Sequence, residues 1–405
     1  MATSAPNEFL ISRIRNYSHL LKATKEEVEQ TKIRGSGESR FKKLASKLIA
    51  DLLKGLQRNI ALMKRVDIDP DGKSALSEGI HQSLEAFLNW VDLILRHCNA
   101  VDIEMHQFVS QILEDLDFKD MDYLLLSGWE LSETSLSESL KKLFSGIFPL
   151  ASDTLANEFP SFCILFIPQS LLKNPINWPL CVHEIGHMIE NEKLKIVESF
   201  YSRPEFGPVS TRITYSIEAL KYRYSKEFQA DYFATTFFGP VFPNQLVDNY
   251  FTKEVFIHPT HPSWEERIRA LVEVLRTMGL QGAAENLKNK SSSISTGPSM
   301  IPKDSLEFLN QILMQTRGLL EREDAIYKTN ENNINRSREA LTKFIPYTDD
   351  MKSLLNVAGE VKKNLLENAK STKKKEKVEK FFDPLIKDSI RLSYLKRTYA
   401  KLDRR

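Results

Sequence analysis

The sequence predicts a mainly helical α+β protein with two or three domains. Apolar residues recur at helical spacing on both sides of one short β-prone run, and 41% of the 405 residues are hydrophobic, enough for packed cores. At roughly 150 residues per domain, this length corresponds to two or three domains. We expect a helical N-terminal domain over 1–150, a core over 151–288, a linker over 289–303 and a helical, basic C-terminal domain over 304–405.

The N-terminal domain is predicted from amphipathic periodicity. Leucines repeat every fourth residue from Leu44 to Leu56, which places them on one face of a helix. Ser135, followed three residues later by Glu138, resembles a helical capping box. We therefore expect helices alone over 1–150.

One β-strand is predicted by the short apolar run 161–168, which a proline closes. Such a run suits a buried strand or an edge strand. An edge strand could pair with an extended substrate by strand addition, so Phe162, Ile164 and Phe166 are candidate substrate-binding residues. Helices are predicted to follow over about 178–193, 212–238 and 264–275, the second ending at a Gly-Pro pair.

The near-neutral net charge of +2 conceals two oppositely charged segments. Residues 101–160 carry a net charge of −9 and residues 361–405 a net charge of +9. We predict that the two segments attract each other and close over or near the cleft of the core. The basic segment lacks regularly interleaved aromatic residues, so we do not expect it to bind nucleic acid.

Cysteine content and hydropathy indicate a soluble, cytoplasmic protein. The three cysteines are too few and too widely spaced for a disulfide framework. No apolar run approaches the roughly 18–20 residues needed to cross a bilayer, and the first residues lack the apolar core of a signal peptide. We expect no membrane span.

The strongest functional signal is the motif His183-Glu184-x-x-His187 within a predicted helix. Histidines four residues apart lie on one helical face, where both imidazoles can reach one metal ion. The glutamate beside the first histidine is placed to act as a general base on a metal-bound water. The alternative is two hydrogen-bonded histidines in a core.

A third ligand is predicted downstream, on an apolar helix that carries Glu227 and Asp231 one turn apart. Two carboxylates on an apolar face require a cation or hydrogen-bond donors. We expect Glu227 to complete the ligand set, and Asp231 to support a ligand histidine or pair with an arginine. Farther along, His261 lies in a proline-punctuated loop that can face the site, and Arg267 begins an amphipathic helix.

These motifs occur in the order that resembles one zinc metallopeptidase family, that of the HtpX heat-shock peptidases and the CAAX prenyl endopeptidases. The matching residues are His183-Glu184-x-x-His187, Glu227-x-x-Ala230-Asp231 and Thr260-His261-Pro262-Ser263-x-x-x-Arg267-Ile268. The resemblance covers about residues 160–275. It implies a gluzincin fold, with an active-site helix, a glutamate-bearing helix and a small sheet whose edge strand aligns the substrate.

The resemblance also implies roles. By that similarity His183, His187 and Glu227 are zinc ligands, and Glu184 is the general base. His261 or Arg267 would lie near the oxyanion or hold Asp231. The chain departs from the integral-membrane members because it has no apolar span, which argues against a membrane-embedded or prenylated substrate. The stretch 227–240 also resembles the ImmA/IrrE peptidases, which cleave regulators.

We therefore expect a soluble zinc-dependent endopeptidase acting on a protein or peptide substrate. Glu184 would move the protons, and His261, or alternatively Tyr224, would assist zinc at the oxyanion. The competing interpretation is a non-catalytic regulatory or binding protein with a structural metal site, and the presence of Glu184 favours the enzyme. The sequence leaves homo-oligomerisation open.

Overall fold

A computed structural model of the chain describes residues 4–33, 38–65, 67–118, 120–159, 162–201, 217–250, 261–292, 305–322 and 325–402. Within these ranges the protein is mainly helical with one small three-stranded sheet, as the sequence predicts. His258, Thr260 and the greater part of the predicted linker lie outside the described residues.

Helices and strands follow one another along the chain in this order: α1 (Ser4–Gln30), α2 (Glu38–Met63), α3 (Pro70–His97), a 3₁₀ turn (Cys98–Ala100), α4 (Ile103–Asp115), β1 (Asp122–Gly128), β2 (Ser132–Ser135), α5 (Leu136–Phe144), α6 (Pro149–Glu158), β3 (Phe162–Pro168), α7 (Gln169–Lys173), a 3₁₀ turn (Pro175–Leu180), α8 (Cys181–Ile189), a π turn (Glu190–Leu194), α9 (Ile196–Tyr201), α10 (Ile217–Phe238), α11 (Val241–Tyr250), α12 (Trp264–Thr277), α13 (Gln281–Ser291), α14 (Ser305–Arg322), α15 (Glu331–Thr342), α16 (Met351–Glu367) and α17 (Thr372–Leu402).

The chain forms two compact units. The first comprises residues 1–106 and 120–167, and the second comprises residues 107–119 and 168–405. This division differs from the predicted domains, because the boundary falls after β3 and not near residue 150. The physical reason is strand pairing, since β3 joins the sheet of the first unit.

The first unit packs α1, α2 and α3 together with α5, α6 and the sheet. The predicted leucine stripe from Leu44 to Leu56 is fully buried along α2, which confirms the amphipathic helix. Ser135 caps α5, and its hydroxyl accepts a hydrogen bond from the backbone N–H of Glu138. Both features follow from local periodicity and local capping.

The sheet corrects two expectations. Its strand order is β1-β3-β2, with β2 antiparallel to β3 and Ser132 opposite Phe166. The expectation of helices alone over 1–150 is therefore wrong at β1 and β2. The expectation that β3 offers a free edge to a substrate is also wrong, because β3 is the central strand and its backbone is paired on both sides.

The three candidate substrate-binding residues on β3 lose their rationale with that free edge. Phe162 and Ile164 are buried, and Phe166 is partly buried and packs against the core of the first unit. A short apolar run predicts burial but does not distinguish a central strand from an edge strand, since both tolerate such side chains.

The second unit packs α10 against α8, α12 and α14, and it includes α15, α16 and α17. The C-terminal helices therefore share a compact unit with the predicted core. Tyr327 donates its backbone N–H to the carbonyl of Thr236, and Asn356 donates to the carbonyl of Phe238. These contacts join the chain beyond α14 directly to the end of α10.

The two oppositely charged segments meet within this unit. Arg397 and Lys401 of α17 form ion pairs with Asp115 and Glu114 of α4, both at 2.6 Å. Two acidic residues from the negative segment are thus neutralised by the basic C-terminal helix, which confirms the predicted attraction for this part of the segment. That the two segments close over the cleft of the core stays a prediction.

No helix within the described residues combines the length and the apolar character that a membrane crossing requires.

Candidate metal centre

Helix α8 presents the two histidines of the motif. Its apolar residues are buried, and His183 itself is only 8% exposed. Gly186 lies where α8 meets α10, and a Cβ built there would lie 3.2 Å from both Ala230 Cα and Phe233 Cδ1. The absence of a side chain at Gly186 allows the two helices to approach closely, which brings the histidines to the carboxylates of α10.

Three predicted ligands converge between these helices. The His183 Nε2 and His187 Nε2 atoms are 3.1 Å apart. Glu227 Oε2 is 3.3 Å from His183 Nε2, and Glu227 Oε1 is 3.4 Å from His187 Nε2. Each residue thus offers one donor atom to a common point, and the three form a group positioned to hold a metal ion.

The spacing of the two histidine nitrogens fits a tetrahedral ion. Metal–ligand bonds of about 2.0–2.1 Å at tetrahedral angles place neighbouring donor atoms about 3.3 Å apart. The two histidine nitrogens, 3.1 Å apart, match that value, and the Glu227 carboxylate approaches one of them through Oε2 at 3.3 Å and the other through Oε1 at 3.4 Å. In addition, Glu227 Oε2 is buried without a hydrogen-bond partner, which is the state of an acceptor that a cation would satisfy.

The electrostatics of the group also favour a cation. Burial acts to lower the pKa of His183, but the Asp231 and Glu227 carboxylates outweigh burial and raise it to about 10. Burial acts to raise the pKa of Glu227, but the two histidines hold it well below its usual value. Two ionised carboxylates in a buried site therefore stabilise positive charge there; without an ion that charge is the proton of His183, which a bound metal would displace.

Asp231 links His183 to a buried arginine. Its Oδ1 lies 2.9 Å from His183 Nδ1, while the other ring nitrogen, Nε2, faces Glu227. Arg267 binds Asp231 with two hydrogen bonds, from Nε at 2.7 Å and from Nη2 at 2.6 Å. Asp231 thus contacts both a histidine and an arginine, the two partners that the sequence left as alternatives.

The start of α12 explains the position of Arg267. The hydroxyl of Ser263 accepts from the N–H of Glu266, whose carboxylate in turn accepts from the N–H of Ser263. This capping box fixes where the helix begins. Arg267 follows in the first turns, fully buried, with its guanidinium also 5.1 Å from the ring centre of Trp264.

Glu184 remains partly exposed beside the histidines. Burial raises the pKa of its carboxyl, although the neighbouring charges of His183 and His187 act in the opposite direction. A raised pKa suits a group that must accept a proton near neutral pH and release it later.

His261 lies at the open side of the group. Its side chain is 45% exposed, and its Nε2 is 3.5 Å from Glu227 Oε2. It is not part of the three-residue ligand group. Tyr224, the other candidate for an oxyanion donor, is buried with Phe228 in an apolar cluster.

The structure brings together six predicted residues: His183, Glu184, His187, Glu227, Asp231 and Arg267, with His261 at their edge. The strand residues Phe162, Ile164 and Phe166 belong to the other compact unit. Sequence reasoning missed Phe242, whose ring stacks on that of His183 with 6.3 Å between ring centres. No periodicity marks this contact, because Phe242 lies in the next helix, beyond the end of α10.

Gly186 was also missed as a functional position. The signal that could have found it is a glycine in the middle of a buried helix, since such a residue is destabilising unless close packing requires it.

Comparisons with protein-family models, with curated proteins and with solved structures each find no match to this chain.

Proposed function

We propose that this protein is a zinc-dependent endopeptidase with Glu184 as its general base. The observation that carries the proposal is the group of two histidines and one glutamate that could hold one metal ion, with a carboxylate of raised pKa next to it on α8. In this proposal α8 and α10 are the active-site helix and the glutamate helix of a gluzincin-like core.

Zinc is the ion that best fits the donor set. Two imidazoles and one carboxylate, with one position left for water, form the ligand set of a catalytic zinc site. Zinc bound there supplies a Lewis acid, which polarises a carbonyl and lowers the pKa of a coordinated water to about 7. The residues that would hold it are His183, His187 and Glu227.

The surrounding side chains would each do one task. Glu184 takes a proton from the attacking water and delivers it to the leaving amine. Asp231 holds His183 in the tautomer that presents Nε2 to the ion, and Arg267 keeps Asp231 ionised. His261, exposed at the edge, is placed to donate a hydrogen bond to a substrate oxygen.

The test combines zinc content with a survey of cleavage sites, on the wild-type chain and on Glu184→Gln. We expect both proteins to hold one zinc, and the wild type alone to cleave. Glu192→Gln, which removes a carboxylate from the turn that follows α8, serves as the matched control and should cleave normally.

Two outcomes would contradict the proposal. Cleavage at an undiminished rate by Glu184→Gln would remove Glu184 from the mechanism. Zinc in a wild-type protein that cleaves no peptide in the survey would instead indicate a structural metal site in a regulatory or binding protein.

A further inference from the structure

A partly enclosed pocket of about 200 Å³ lies beside α10, within the compact unit that holds the metal centre. Tyr232 and Thr236 of α10 form part of its wall. Because successive helical residues are 100° apart, these two lie roughly 140° and 180° around the helix axis from Glu227. The pocket is therefore a separate site on another face of the same helix.

Cations and hydroxyl groups dominate the lining of this pocket. Arg317 of α14 and Lys328 line it, and none of its lining residues is acidic. The lining residues that carry hydroxyl groups are Tyr232, Thr236, Thr277, Tyr327 and Thr329. A positively charged wall rich in hydrogen-bond donors favours an oxyanion.

Arg317 is placed to be the main anchor for such an anion. Its Nε donates to Glu321 at 2.7 Å, one turn farther along α14. A guanidinium presents five N–H groups in a planar fork, so its terminal nitrogens can still bind two oxygens of one anion. Burial raises the pKa of Tyr232, the Arg317 charge acts against burial and the Glu321 charge acts with it, so the guanidinium and its carboxylate partner both lie near that phenol.

We propose that this pocket binds a small organic oxyanion, a phosphate or carboxylate group on a compact apolar body. Met278, Leu280 and Ile326 supply the apolar part of the lining. The volume is below the roughly 300–1,000 Å³ of pockets that take drug-sized ligands, so the ligand is small.

The wall of the pocket is fixed to α10 by the backbone. Tyr327 donates its N–H to the carbonyl of Thr236 at 2.7 Å. Its ring packs on Gly239, which has a φ of 74° and where an added Cβ would lie 2.4 Å from the ring. A ligand in the pocket would therefore tie α14 and the segment around Tyr327 to the helix that carries Glu227 and Asp231.

The experiment is calorimetric titration of the full chain, stripped of metal by a chelator and dialysed, with phenyl phosphate, with benzoate and with uncharged benzyl alcohol. Metal-free protein separates this site from the metal centre, so the outcome is independent of the proposed peptidase function. We expect saturable binding of at least one anion and no binding of benzyl alcohol. The better anion identifies the group as phosphate or carboxylate.

Arg317→Gln should weaken that binding at least about tenfold, because a charged hydrogen-bond donor is lost. Arg322→Gln removes the same charge from an exposed position on the same helix, outside the pocket, and should leave binding unchanged. The proposal is overturned if neither anion binds saturably, if benzyl alcohol binds equally well, or if both arginine variants bind like the wild type.

Discussion

Asp231 is a buried carboxylate that lies between two buried basic side chains. It is 1% exposed and contacts His183 on one side and the guanidinium of Arg267 on the other. Burial acts to raise its pKa, but Arg267 and His183 together outweigh burial and hold the pKa below its usual value. Without Arg267 the carboxylate would lose two hydrogen bonds and the charge that contributes most to keeping it ionised.

Replacing Arg267 by methionine should therefore destabilise the protein strongly. The substitution leaves the Asp231 carboxylate buried with His183 as its remaining charged contact, and breaking a buried ion pair in this way costs about 3–5 kcal/mol. Chemical denaturation measures the loss as a lower denaturant midpoint.

Arg269→Met is the matched control for this substitution. Arg269 lies two residues farther along α12, with its side chain 68% exposed and paired with Glu265. Its loss should change the stability by no more than about 0.5 kcal/mol. Equal losses in the two variants would contradict the importance assigned to the buried pair.

At the scale of elements, the separation of α8 and α10 determines whether three ligands can share one ion. Gly186 sets that separation, since its missing side chain leaves room for Ala230 and Phe233. A glycine inside a helix otherwise costs roughly 0.5–1 kcal/mol relative to alanine. Its position in α8 is explained by packing.

Gly186→Ala should lower both the stability and the affinity for zinc. The added methyl group would push against the backbone of α10, and overpacking of this kind typically costs about 1–3 kcal/mol. Displacing α8 would also spread the donor atoms. A competition titration with a chromophoric chelator measures the affinity, and thermal unfolding measures the stability.

Gly318→Ala is the matched control: it makes the same chemical change, but we expect it to raise the stability. Gly318 lies inside α14 with no atom within 4 Å of a built Cβ. The substitution should therefore stabilise the protein by up to about 1 kcal/mol. The packing argument fails if both alanine variants change stability in the same direction.

The π turn after α8 contains a second buried carboxylate, that of Glu190. Its Oε1 accepts the N–H of Val197 at 2.6 Å, while Oε2 is buried without a hydrogen-bond partner. Burial raises its pKa above the value of an unfolded chain, against the opposing effect of backbone hydrogen bonds. The folded state therefore holds the proton of Glu190 more tightly than the unfolded state does.

This difference predicts that Glu190→Gln is more stable than the wild type at neutral pH. Between the ordinary glutamate pKa of about 4.3 and the raised folded value, folding binds a proton, so wild-type stability falls as pH rises through that window. Glutamine keeps the acceptor for Val197 and removes the charge. Thermal unfolding at a series of pH values should show a gain that disappears below about pH 4; Glu192→Gln should show no such gain.

The sequence predicted many of the helices and the group of residues that could hold a metal ion, because both follow from local spacing. The i, i+4 histidines of α8 and the one-turn pair on α10 needed no tertiary information, and neither did the cap at Ser135. The strand order could not be predicted, because the side chains of β3 are apolar on both faces. The close approach at Gly186 was missed for a related reason, since it depends on which helix packs there.

At the scale of the whole chain, the second unit is discontinuous in sequence. Residues 107–119 and 168–405 form it together, and Gln111 donates to the carbonyl of Ile390 across 279 positions. Asn356 of α16 accepts the N–H of Val241 and donates to the carbonyl of Phe238. The ammonium of Lys352 lies 3.7 Å from the ring centre of Phe237. The C-terminal helices thus complete the surroundings of α10.

Because of these contacts, α10 and the C-terminal helices should unfold as one cooperative unit. Hydrogen exchange in increasing denaturant measures the free energy of opening for each segment. We expect the protected amides of α10, α16 and the middle of α17 to converge on one free energy of opening and one denaturant dependence.

Asn356→Ala should lower that free energy in all three helices, because it leaves the Phe238 carbonyl and the Val241 N–H without their partner. The expected loss is about 1–3 kcal/mol. If α16 and α17 open with a smaller denaturant dependence while α10 keeps its protection, the C-terminal helices are an independent domain, as the sequence alone suggested.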